Sequence, residues 1–243
     1  MKHRLVALLI LTAITYIDIS AQSVVITRTK ITYIRPRPIS EYKKTFTINY
    51  PRVNASTPAL SKRIETSIAY STILQLDLKD EITGSQWLDE ADYEIGYNEN
   101  GILSMALSMN GSAAYPDGTT KHVVVDLDTG KRVMARDVFK NLRRLLALIR
   151  TAKRNEVART VAVIKIDREY DEQNPKDLFD DYSKYNPVRL NDFSVADDGV
   201  TFHYDYGFPH VLQALEPDGE FTFTWKQLKP YIRRDGLLAR FAR

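Results

Sequence analysis

Between Tyr93 and Met109 the apolar residues fall at every second position. Tyr93, Ile95 and Tyr97 alternate with polar or small neighbours, Asn98-Glu-Asn-Gly101 follows, and Leu103, Met105, Leu107 and Met109 alternate again. A period of two places one set of side chains on a single face of a pleated strand. A polar tetrad ending in glycine between two such runs reverses the chain. The stretch is therefore predicted to be a β-hairpin with one face to bury. His122-Val-Val-Val-Asp-Leu127 supplies a third strand after a loop over residues 111–118, and Asp128-Thr-Gly130 turns it. Strands that follow one another so closely favour an antiparallel sheet, and its apolar face needs a second layer.

Two helical patterns provide that layer. Thr57-Pro58 offers an N-cap followed by proline at the first helical position, and Leu60, Ile64 and Ile68 form one stripe of a helix expected to end before Gly84. Asp137 fits the N-cap of a second helix, in which Phe139, Leu142, Leu145, Leu146 and Ile149 share a face largely free of Arg143, Arg144, Arg150 and Arg154. Residues 160–166 read equally well as a strand or as the end of that helix. Further strands are predicted at Val24–Tyr33, which Pro36 and Pro38 end, and at Thr45–Ile48, which leads into Tyr50-Pro51. Phe193 and Val195, the turn Asp197-Asp198-Gly199, and Phe202, Tyr204 and Tyr206 form a second hairpin. Phe221–Trp225 is a last strand before a short helical ending at Lys226–Tyr231. The expected fold class is α+β: an antiparallel β-sheet with two main helices packed on it.

The N-terminus reads as a cleavable export signal over residues 1–21. Lys2 and Arg4 precede the apolar run Leu5–Ile17, and the small residues Ser20 and Ala21 mark a cleavage position before Gln22. The run is too short to span a bilayer comfortably. No other stretch is long and apolar enough, so the mature chain is expected to have no integral membrane span. Residues 22–41 then form an N-terminal strand and linker, and 42–243 the α+β domain. Removing 1–21 takes Lys2, Arg4 and Asp18 from totals of 34 basic and 31 acidic residues and leaves a formal charge of +2. So small an imbalance argues against a nucleic-acid partner. The chain has no cysteine, which excludes disulfides, thiolate metal ligands and a cysteine nucleophile.

Catalytic patterns are sparse. There is no Gly-x-Ser-x-Gly elbow, and beyond the leader the histidines are His122, His203 and His210. Ser104, Ser108 and Ser112 read as outward-facing strand or loop residues. His203, Asp205 and His210 are the best metal candidates, in a spacing that matches no zinc signature. The acidic stretch from Asp167 to Asp181 lacks the order and the glycine of an EF-hand and reads as a solvated loop. Glu94, Asp126 and Asp205 are carboxylates on predicted strands that a glycoside hydrolase would need to pair. The weight falls on no cofactor, no metal and no catalytic residue.

Six ordered segments resemble the RsiV-like extracytoplasmic domain: Phe46-Thr-Ile-Asn-Tyr-Pro51, Tyr93-x-Ile-x-Tyr-Asn-x-Asn-Gly-Ile-Leu-Ser104, Gly111-Ser-Ala-Ala-Tyr-Pro116, Val125-Asp-Leu-Asp-Thr-Gly-Lys131, Asp137-Val-Phe139 and Phe193-x-Val-x-Asp-Asp-Gly-Val-x-Phe202. That domain forms the outer part of a lysozyme-sensing anti-sigma factor and accompanies the catalytic domain of the peptidoglycan deacetylase PdaC. The resemblance implies an α+β fold and a non-enzymatic role in recognition at the cell envelope. With four residues ahead of the apolar run, an anti-sigma role is not expected. The expected location is periplasmic or extracellular, and the expected partner an envelope protein such as a muramidase, or a cell-wall glycan. Tyr115, Pro116, Tyr206, Phe208 and Pro209 are the candidate ligand contacts, because rigid aromatic and proline side chains give contact area at low entropic cost.

Overall fold

The computed structural model describes residues 22–40, 43–112, 116–165, 179, 188–208 and 210–241. The period-two stretch forms β3 (Leu88–Glu99) and β4 (Ile102–Ser112), joined through Asn100 and Gly101 with φ of 52° and 71°. Two successive left-handed residues make the tight reversal that suits the twist of a hairpin. β5 (Pro116–Asp126) pairs antiparallel with β4 over its whole length, so strand covers much of the predicted 111–118 loop. β6 (Lys131–Arg132) closes that edge after the turn at Gly130. On the other side, β1 (Val25–Ile34) pairs antiparallel with β2 (Thr45–Asn54), and β2 joins β3 in parallel at Thr47↔Glu90 and Ile48↔Ala91. The six strands lie in sequence order.

The expected helix after Pro58 divides into α1 (Pro58–Ser67), α2 (Tyr70–Ile73) and α3 (Leu78–Thr83). Ala69 is extended, Gln75 has a φ of 59°, and Asp77 restarts the chain by accepting from the N–H groups of Lys79 and Asp80 at 2.9 and 3.2 Å. An aspartate that hydrogen-bonds its own backbone favours a cap over a helix interior. Leu60, Ile64 and Ile68 pack on Phe46, Ile48, Leu103, Met105, Val123 and Val125 as one aliphatic core. Burial of each such side chain is worth about 1.5–3 kcal/mol. A buried arginine fixes one end of this half: Arg35 donates to the carbonyls of Glu81 and Leu88 at 2.8 and 2.6 Å and lies 3.4 Å from the Glu81 carboxylate.

The second half stands on the opposite face of the large sheet. β7 (Phe193–Val195), β8 (Gly199–His203) and β9 (Glu220–Thr224) form a separate antiparallel sheet. α4 (Ala135–Val138), α5 (Leu142–Ile164) and α6 (Trp225–Leu228) complete the layer. Asp137 does not cap the long helix. It sits in α4 and accepts from the Met134 N–H at 2.9 Å, and a left-handed Asn141 separates α4 from α5. Residues 160–164 belong to α5, so the helical alternative holds there.

A register shift between Ile95 and Tyr97 explains how one strand serves both halves. A bulge re-aims the residues that follow it. Tyr93 lies in the aliphatic core, whereas Tyr97 joins Ile102, Val124, Phe193, Phe202 and Tyr206 in the second one. Ser104 belongs to this buried face: it is 1% exposed, and its hydroxyl accepts from the Val195 N–H at 3.0 Å. The expectation that it faces solvent fails because a second sheet, not water, covers that side.

Candidate functional site

The polar junction between the two sheets gathers residues from β5, β8 and the segment before β7. Asp192 accepts from both the backbone N–H and ring Nδ1 of His122, each at 3.0 Å, while its second carboxylate oxygen lies 3.3 Å from Lys121 Nζ. Its own carbonyl accepts from the His203 N–H at 3.0 Å. One residue thus ties the large sheet to the small one. Burial opposes the charge on Asp192, but the hydrogen bonds from His122 and the nearby Lys121 outweigh it and hold the carboxyl below its usual range.

The His122 and His203 rings stack face to face, with centroids 3.3 Å apart and planes within 10°. Burial, followed by the facing His122, pushes His203 down to about 4. His203 is therefore neutral at pH 7 and shares a 2.9 Å hydrogen bond through Nε2 with the Ser194 hydroxyl. Its Nδ1 lies 3.8 Å from Glu220, beyond hydrogen-bond range. Serine, histidine and carboxylate thus come near one another without forming the relay that nucleophilic catalysis uses.

Two adjoining depressions open over this junction. The larger, of about 610 Å³, is walled by residues 72–75 at the end of α2, by His122, Arg132 and Met134, and by Asn191. The smaller, of about 220 Å³, reaches His203, Tyr204 and Asp205. Thr119, Lys121, Arg189 and Asp192 line both. A separate depression of about 300 Å³ lies between Tyr50, Arg52, Ile68 and Tyr70, on the helix-covered half.

The structure disperses the other candidates. Asp126 accepts from Asp128 and Thr129 within its turn. Glu94 lies opposite Ala106, four positions along β4 from the partner of Asp126, and one strand further across. Strand spacings put the two roughly 16 Å apart, too far for the roughly 5–9.5 Å of paired glycosidase carboxylates. β8 ends at His203, so Asp205 does not continue its face. Asp205 instead accepts from the Gly207 N–H at 2.8 Å. Among the described residues no group of three or more His, Asp and Glu is placed to hold a metal ion. The side chain of His210 and most of the acidic stretch from Asp167 to Asp181 lie outside the described residues.

Of the proposed ligand contacts, Tyr115 and Pro209 also lie outside the described residues, and Pro116 is exposed at the start of β5. Tyr206 and Phe208 are 0% and 5% exposed. Both pack on Phe179, and the Tyr206 hydroxyl donates to Glu156 at 2.6 Å. Their rings fill the second core and present no surface to a ligand. The residues sequence reasoning passed over are Arg132, Arg189 and Asp192. Scarcity was the one available signal, since two of the three histidines after residue 21 meet here.

Solved structures with this fold include a member of the DUF3298 family from Bacteroides fragilis. It matches with a TM-score of 0.58 at 12% identity, over 91% of this chain and 98% of its own. A DUF3298 family protein from Pseudomonas aeruginosa gives 0.54 at 13% identity, over 89% and 97%. The fold is that of DUF3298 proteins. At these identities the likeness is one of fold. No family model matches the sequence, and none of the curated proteins matches it.

Proposed function

We propose that this chain is an exported, non-enzymatic binding domain of the cell envelope that recognises peptidoglycan fragments or a muramidase. The observation that carries the reading is the cleft over the sheet junction. It is open and cationic, and its histidines are engaged in holding the two sheets together. The leader pattern of residues 1–21 and the ordered RsiV-like segments support the compartment and the role. Between the two ligands, the Lys121, Arg132 and Arg189 lining favours muropeptides, whose stem peptides carry free carboxylates. Pro116 begins the strand that delivers Thr119 and Lys121 to the cleft.

Calorimetric titration with purified muropeptides and with lysozyme tests the binding role, and fractionation of expressing cells tests export. Saturable binding of muropeptides and a processed chain in the periplasm or medium are expected. Absence of binding to both ligand classes would end the binding reading, and an intact chain in the cytosol would end the export reading.

A further inference from the structure

Arg132 is set into the wall of the 610 Å³ depression, and its Nε is buried with no hydrogen-bond partner among the described residues. A buried donor left unpaired costs about 1–3 kcal/mol, and such groups call for an explanation in water, strain or a ligand. Arg189, on the same depression, is exposed and forms no ion pair among the described residues. By contrast Lys121, the third cation, is already matched by Asp192. The depression therefore holds two guanidinium groups with no carboxylate ion pair among the described residues.

The rest of the lining narrows the ligand. Ile73, Leu74 and Met134 supply an apolar wall beside the cations, as suits an amphipathic molecule with one charged end. Asp192 remains ionised at the floor, since His122 and Lys121 stabilise its charge. A fixed negative charge beside two arginines favours a monoanion over a dianion. At the rim, Gln75 adopts a φ of 59°, and left-handed non-glycine residues collect at ligand clamps.

We propose that this depression is a binding site for a carboxylate monoanion with a short apolar or amide-bearing body. Arg132 and Arg189 are the charge partners, and the 73–75 segment and Met134 form the wall. The planar guanidinium fork matches a carboxylate through two parallel hydrogen bonds. The site's chemistry is independent of the compartment and of any wall polymer.

The test is an NMR-monitored titration of the full chain with N-acetylalanine, an acyl amino acid not specific to any wall polymer. Its uncharged amide and inorganic phosphate serve as comparisons. Saturable shifts are expected for the acid, with at least tenfold weaker binding of the amide and of phosphate, and with affinity falling as salt rises. The exposed Arg189→Glu variant should fold normally and weaken binding at least tenfold. Arg52→Glu, on the separate 300 Å³ depression, should leave it unchanged. The site is overturned if folded protein shows no saturable response to the acid, if phosphate binds more tightly, or if Arg189→Glu binds as the parent does. Muropeptide binding without a response to the acid would overturn this site and leave the envelope role standing.

Discussion

The two halves of this chain are held by different chemistry. Under α1–α3 the core is mostly aliphatic, built from Ile48, Ile64, Leu103, Met105 and Val125, and its cover follows it closely in sequence. Under α5 the core is richer in aromatic rings, and Phe139, Phe193, Phe202 and Phe223 meet at ring-centroid distances of 5.7–6.2 Å. Elements far apart in sequence enclose that second core. Between them lies a polar seam, with Ser104, His122, Asp192 and His203 in hydrogen-bonded or stacked contact. Aliphatic side chains pack with little directional demand, whereas aromatic edges and seam hydrogen bonds fix orientation. The rigid seam then frames a cleft, and the first half contributes only its wall.

The strongest test of this contrast is truncation on the aromatic side. Phe202→Ala removes a ring that is 1% exposed and should cost about 3–5 kcal/mol, read as a shift in the urea midpoint. The aliphatic comparator Ile64→Val should cost about 0.5–1.5 kcal/mol. A loss from Phe202→Ala below about 2 kcal/mol would show that the ring does not carry the second core.

The seam predicts acid sensitivity. His203 is depressed to about 4 from 6.5, so below pH 6.5 the unfolded chain takes up a proton that the folded chain refuses. Stability therefore falls as pH drops from 6.5 to 4 and is full above that window. The loss is at most about 3 kcal/mol, reduced by partial solvent screening. Asp192, held low, adds a further loss below the ordinary carboxylate range. Urea midpoints from pH 8 to pH 4 should show the decline in the parent and a flatter profile in His203→Gln. Equal slopes would remove the stacked pair from the account.

Ser104→Ala should leave the Val195 N–H without its acceptor and cost about 1–3 kcal/mol, with weakened hydrogen-exchange protection at Val195. On the helix-covered side, Thr57→Ala removes the acceptor 3.2 Å from the Leu60 N–H. It should cost about 1 kcal/mol in thermal melts and leave the seam's pH profile unchanged.

The same contrast sets what the sequence reveals. Alternation in β3 and β4, the Asn-Gly turn and the Thr57-Pro58 cap are local signals, and each names an element that forms. Division of the first helix turns on Ala69, Gln75 and Asp77, which compete with an apolar stripe that by itself promises continuity. Ser104 illustrates the larger gap. Its polarity and strand position imply exposure, and nothing within ten residues announces that β7 will cover it. His122 and Asp192 are 70 positions apart, so their pairing depends on how two sheets stack, not on any period. For the same reason Tyr206 and Phe208, whose residue types suit ligand contact, are buried as rings of a core. Arg132 and Arg189 carry no motif and become conspicuous only as cations that line one cavity without an ion pair among the described residues.

Hydrogen–deuterium exchange of the full chain, with and without saturating muropeptide, tests the central claim most directly. If the cleft over the seam is the binding site, protection should increase in Thr119–His122, in Arg132–Met134 and in Arg189–Asp192, with little change around Tyr50 and Tyr70. Protection confined to the Tyr50 and Tyr70 depression, or unchanged throughout the chain while ligand is bound, would contradict it.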